Sequence, residues 1–80
     1  MKVYIIKPKS APVNDVLKYN IETIGTEIEF VDYLVDCDIA VLQNGWTRST
    51  YAIKEKEMAE KLHKRIEEGY MYERFKVHLN

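Results

Sequence analysis

One acidic side chain stands where a core residue is expected. In "NGWTRSTYAIKEKEMAE", residues 44–60, take a helix from Tyr51 onward at about 100° per residue. Ala52, Met58, Ala59, Leu62 and Ile66 then share a single apolar sector. Glu55 lies near the middle of that sector, whereas Glu57 and Glu60 project to the opposite side. A carboxylate is expensive to bury unless something there meets it. Placed near a helix start, it can attack an electrophilic carbon or accept hydrogen bonds from a ligand. The plainer reading is a boundary glutamate whose stem packs while its head reaches water.

The residues around it divide in the same way. Trp46 offers an aromatic face on which a base can stack, or equally a cap for the core or an interface. Asn44 and Gly45 form an ordinary turn signal, and the Asn44 amide is also suited to a base or sugar. Lys7, Lys9 and Arg48 make a small phosphate-binding patch if the fold brings them together. Tyr4, in an apolar run, is expected to be core. Cys37 is the sole cysteine, which excludes a disulfide within the chain. His63 and His78 have no ligand-like spacing, so no metal site and no cofactor are expected.

These residues need a scaffold. Val3–Ile6 read as a buried strand, and "KPKSAP" then breaks regular structure at Pro8 and Pro12. Asn14 or Asp15 caps a helix to Ile24, with Val16, Leu17, Ile21 and Ile24 inward and Gly25 at its end. Residues 27–31 suggest a second strand and "DYLVDCD" a turn of helix. Ile39–Leu42 form the best central parallel strand. A long helix is expected from Ser49 or Thr50 to Glu68, stopped by Gly69, with "FKVHL" as a last strand. Strands alternating with helices predict an α/β fold: a small, open, Rossmann-like (flavodoxin-like) parallel sheet with flanking helices. In such a sheet ligands sit outside the carboxyl ends of the strands. Lys7, the Asn44–Gly45–Trp46 loop and Glu55 all fall at that edge.

The 80 residues make one small domain with a thin core. Twelve basic and thirteen acidic residues give a formal net charge of −1, and no segment is basic enough for a nucleic-acid footprint. "MKVYIIKPK" is neither a signal peptide nor a membrane span, so a cytoplasmic protein is expected. "YMYERF", residues 70–75, carries three aromatics in six positions, and a partner interface is the expected cover. A homo-oligomer follows, with closed twofold symmetry as the default.

The segment "DCDIAVLQNGW", followed by Ser49, Tyr51, Ala52, Glu55 and Ala59, resembles the signature of the nucleoside 2-deoxyribosyltransferase-like superfamily. "VYIIKP" is similar to that family's first strand and turn, with Tyr4 and Pro8 matching. The likeness is to its short phage and bacterial members and implies a domain truncated relative to full-length ones, in the host cytoplasm if phage-encoded. It implies that Glu55 is the nucleophile that attacks the anomeric carbon in active members, and it raises Tyr4 as a pocket-lining group. Three positions depart from the pattern: Lys7 and Tyr51 replace glycines, and Ser49 replaces an aspartate. Long side chains at glycine positions reshape or fill a pocket, and the lost aspartate argues against a standard transferase. The added positive charge of Lys7 and Arg48 suits a phosphorylated ligand. The expectation is therefore a nucleotide-like ligand held by Tyr4, Lys7, Asn44, Gly45, Trp46, Arg48, Ser49, Tyr51 and Glu55, sequestered without turnover. N-glycosidic chemistry at Glu55 is the alternative, and a structural or host-protein-binding module the second.

Overall fold

The structure is a computed structural model that describes residues 1–24 and 27–72. Among the described residues the elements run β1 (Lys2–Ile6), α1 (Asp15–Ile24), β2 (Glu29–Phe30), β3 (Ile39–Leu42), α2 (Thr50–Lys61) and β4 (Arg65–Glu68). Short 3₁₀ turns at Leu34–Asp36 and Trp46–Arg48 flank β3. All strands are parallel, in the spatial order β2-β1-β3-β4. This is the expected α/β Rossmann-like fold. No helix among the described residues is long and apolar enough to cross a membrane.

The two inner strands are apolar on both sides because each side is covered. Val3, Ile5, Ile39 and Val41 meet Leu17 and Ile21 of α1. Ile6, Ala40 and Leu42 meet Ala52 and Ala59 of α2, together with Leu34 and Cys37. The period of two along β1 and β3 thus sorts successive residues between two layers of core. Alanines at positions 40, 52 and 59 are fully buried, and their small size lets α2 approach the sheet closely.

Local chemistry explains the helix starts. The Asn14 carboxamide oxygen accepts from the Val16 and Leu17 amides at 3.0 and 3.1 Å. The Ser49 hydroxyl accepts from the Ala52 amide at 3.2 Å and caps α2.

The second helix is shorter than its sequence pattern suggests. It ends at Lys61, and residues 65–68 form β4 instead of a continuing helix. His63 adopts a left-handed conformation with φ 57°. Its amide donates to the Glu60 carbonyl at 3.1 Å, and the Lys64 amide donates to Ala59 at 2.9 Å. That pair of bonds is a Schellman ending, usually built on glycine. Ile66 therefore reaches the α2-side core from a strand, while Met58 and Leu62 are exposed. In α1 the inward stripe is Leu17, Asn20 and Ile21, with Val16 and Ile24 exposed. A stripe through residues 17, 20 and 21 turns Val16 toward its margin, while Ile24, in phase with the stripe, stands at the last position of the helix on the wall of an apolar groove. Gly25 and "FKVHL" lie outside the described residues.

Gly69 closes the β4 end of the sheet. Its amide donates to the Leu42 carbonyl at 2.8 Å. A Cβ there would lie 2.5 Å from that same carbonyl oxygen, so glycine is required by close approach.

Candidate functional site

The strand order reverses between β1 and β3: the chain steps outward to β2, then crosses back over β1 to β3. The carboxyl ends of two such strands are the usual ligand position in open α/β sheets. Lys7 and Pro8 leave β1 there, and residues 43–49 leave β3. Gly45 takes the left-handed conformation, φ 98°, that turns the second loop into its 3₁₀ segment. Its Cα face lies against the Pro8 ring, which a Cβ would meet at 3.9 Å.

Beneath α2, the Tyr4 hydroxyl donates to Glu55 Oε2 at 2.5 Å. Alternation along β1 puts Tyr4 on the α2 side, and Glu55 comes down on it from the second turn of the helix. Burial raises the Tyr4 hydroxyl well above its ordinary pKa of 10.0, with the Glu55 hydrogen bond and charge, then Tyr51, adding to the effect. The phenol therefore stays protonated at neutral pH and acts as a donor to the carboxylate. The other carboxyl oxygen, Oε1, is buried without a hydrogen-bond partner, the one such side-chain atom among the described residues.

The other predicted residues gather around this pair without forming a single contact set. Asn44, Gly45 and Trp46 line a cavity of about 230 Å³ with Leu42, Thr47, Glu68 and Tyr70. Tyr4, Lys7, Arg48, Ser49, Tyr51 and Glu55 do not line it. Trp46 packs against the α2-side core, and the Lys56 ammonium sits 5.6 Å from its ring centre. Lys9, in the loop after β1, has its ammonium 5.7 Å from the Tyr51 ring centre at the start of α2. Lys7 donates to the Ala11 carbonyl at 2.6 Å, so its ammonium is held by its own loop. Arg48 is exposed at the end of the 3₁₀ turn, and the Ser49 hydroxyl is occupied by capping.

Two participants escaped sequence reasoning. The buried Gln43 side chain accepts from the Asn14 amide at 2.8 Å and donates to the Pro12 carbonyl at 3.1 Å. It ties the loop after β1 to the end of β3. Glu68 enters the cavity wall because residues 65–68 are a strand, and under a helical assignment nothing signals it; Tyr70, singled out in "YMYERF" as a partner contact, joins it there. Cys37 is buried, and that burial pushes its thiol up despite the Lys64 ammonium nearby. Among the described residues no group of three or more His, Cys, Asp and Glu side chains could hold a metal ion. A larger apolar groove of about 530 Å³ lies on the opposite, α1 side, between Ile21, Ile39 and Tyr72. No family model, curated protein or solved structure matches the chain.

Proposed function

We propose that the chain binds a nucleotide or related phosphorylated nucleoside at the carboxyl ends of the strands without turning it over. In this reading Glu55 accepts a sugar hydroxyl through Oε1. The observation that carries the reading is the state of that carboxylate. One oxygen is held by Tyr4 at 2.5 Å and the other is buried with no partner. An unsatisfied buried acceptor costs about 1–3 kcal/mol, more when charged. A ligand hydroxyl supplies the missing donor, and Tyr4 fixes the direction from which it must come.

Trp46 and Asn44 supply an aromatic face and an amide for the base, in the cavity they line. The phosphate belongs on the β1 side with Lys7 and Arg48, because Glu68 on the β4 side would repel it. Lys7 then exchanges the Ala11 carbonyl for a phosphate oxygen.

Calorimetry across nucleosides and mono-, di- and cyclic nucleotides tests the reading. Phosphorylated forms are expected to bind more tightly than neutral ones, and Lys7→Ala is expected to reduce that preference. Equal binding of charged and neutral forms, unchanged in Lys7→Ala, would remove the phosphate. No binding by any member would favour a protein-binding role for the "NGW" loop.

A second reading rests on the same contact. A carboxylate oriented by a phenol is also suited to attack an anomeric carbon, as the resemblance to nucleoside 2-deoxyribosyltransferases implies. Free base released from a bound nucleoside or nucleotide, and abolished in Glu55→Gln, would establish turnover.

A further inference from the structure

The outer edge of β4 carries a charge pattern with one self-complementary arrangement. Among the described residues β4 pairs with β3 alone and ends the sheet. The Gly69 amide points to β3, where it donates to Leu42 at 2.8 Å. Strand alternation then directs Arg65 and Glu67 to β3 as well and turns the backbone groups of Ile66 and Glu68 outward.

The residues along this edge read Lys64, Arg65, Ile66, Glu67, Glu68: two cations, an apolar centre and two anions. A second copy laid alongside in parallel sets like charges against like. Laid antiparallel about Ile66, it sets Arg65 across from Glu67 of the second copy, and Lys64 across from Glu68. That register also makes Ile66 face itself as a hydrogen-bonded pair, which requires outward-pointing N–H and C=O groups on Ile66. The backbone has them there. Shifting the centre to Glu67 would place two carboxylates face to face as a non-hydrogen-bonded pair and would leave Arg65 across from Gly69, with no anion opposite it.

We infer that two copies of the chain join through β4 in this antiparallel register, extending the two four-stranded sheets into one of eight strands around a twofold axis. Charged residues often protect a sheet edge from such pairing. Here their order discriminates among registers instead of blocking all of them. Arg65 already bonds Glu67 within the chain at 2.8 Å, so the twofold builds a quartet of alternating charges on the α1 side. The Lys64 ammonium is held by the Val35 and Cys37 carbonyls at 3.0 and 2.8 Å, which leaves Arg65 and Glu67 as the pair that reads the register. The apolar groove lies beside this edge, with Arg65, Glu67 and Met71 among its walls, so the grooves of the two copies adjoin across the axis. The inference stands apart from any ligand.

Light scattering and amide hydrogen exchange on the full chain test it. The wild-type protein should be dimeric at tens of micromolar, with the Ile66 and Glu68 amides slowed as concentration rises. Arg65→Glu and Glu67→Arg each set like charges in both symmetry-related pairs, and each should weaken self-association about tenfold or more. An equimolar mixture of the two variants restores opposite charges and should recover a heterodimer. A wild-type monomer, or a dimer whose Ile66 and Glu68 amides exchange as in the monomer, would overturn the inference. So would a dimer indifferent to both swaps. The exchange measurement on the wild type decides the matter even where a swap unfolds the chain.

Discussion

The two faces of the sheet are covered by one helix each, yet they are built from different materials. On the α1 side the strands present Val3, Ile5, Ile39 and Val41 to Leu17 and Ile21, all aliphatic. On the α2 side Tyr4 occupies the equivalent row, beneath a helix that brings down an acid between two buried alanines. Aliphatic contacts stabilise a fold wherever they occur, since their energy scales with buried area and has no direction. A buried phenol–carboxylate contact is different. Replacing such a pair with apolar groups of similar shape is often neutral or stabilising, because desolvation offsets what the pair contributes. The α1 side has such a contact too, from Tyr72 to Glu67, but there Arg65 meets the second carboxyl oxygen. On the α2 side an oxygen is left over, which stability explains poorly. Both sides hold buried core, and the proposed ligand is assigned to the α2 side because of that leftover oxygen.

The largest effect should come from the aliphatic face. Leu17→Ala empties a fully buried site and should cost about 2–5 kcal/mol in denaturant unfolding. The Tyr4–Glu55 contact on the other face should keep its geometry while the protein remains folded. A loss below about 0.5 kcal/mol would mean that the α1 side is not close-packed.

Tyr4→Phe probes the polar face and should cost less, about 1–3 kcal/mol, because it deprives Glu55 of its one donor. It also changes the response to alkali. Tyr4 and Tyr72 are both raised by burial and by a hydrogen-bonded glutamate, Tyr72 from 10.0 to about 12. A folded-state value above the unfolded one gives stability that is complete below pH 10 and is lost as pH rises through the folded value. Unfolding curves between pH 9 and about 12 should therefore show falling stability, with a shallower fall in Tyr4→Phe. Identical pH slopes in the two proteins would contradict the burial of that phenol.

The smallest effect lies where the chain passes from α2 to the β4 edge. His63 holds a left-handed conformation that glycine adopts without strain. His63→Gly should stabilise by about 0.5–1 kcal/mol in thermal or urea unfolding. A loss of stability would show that the His63 side chain contributes more than its backbone costs.

That residue also shows where sequence reasoning stops. The strands at Val3–Ile6 and Ile39–Leu42 were legible because runs of β-branched residues have no polar side to expose. The cap positions were legible because Asn14 and Ser49 chemistry is local. The end of α2 was not, because histidine at a left-handed position looks like any other helical residue; the apolar pattern ran on through Ile66, which also suits a strand. For the site, the inward direction of Glu55 followed from helical phase alone. Its Tyr4 partner did not, since only the packing of α2 on β1 sets residue 4 beneath residue 55. Gln43 was hidden for the same reason: its two partners lie 29 and 31 residues away in the chain.

The claim that the Tyr4–Glu55 pair serves a ligand and not the fold is tested most directly by removing both partners at once. Tyr4→Phe with Glu55→Met keeps the shape and deletes both polar groups, and urea unfolding compares the double variant with the wild type. The predicted result is a double variant at least as stable as the wild type, even though Tyr4→Phe alone is destabilised. A double variant less stable than the wild type by about 2 kcal/mol or more would make the pair a structural contact and contradict the account.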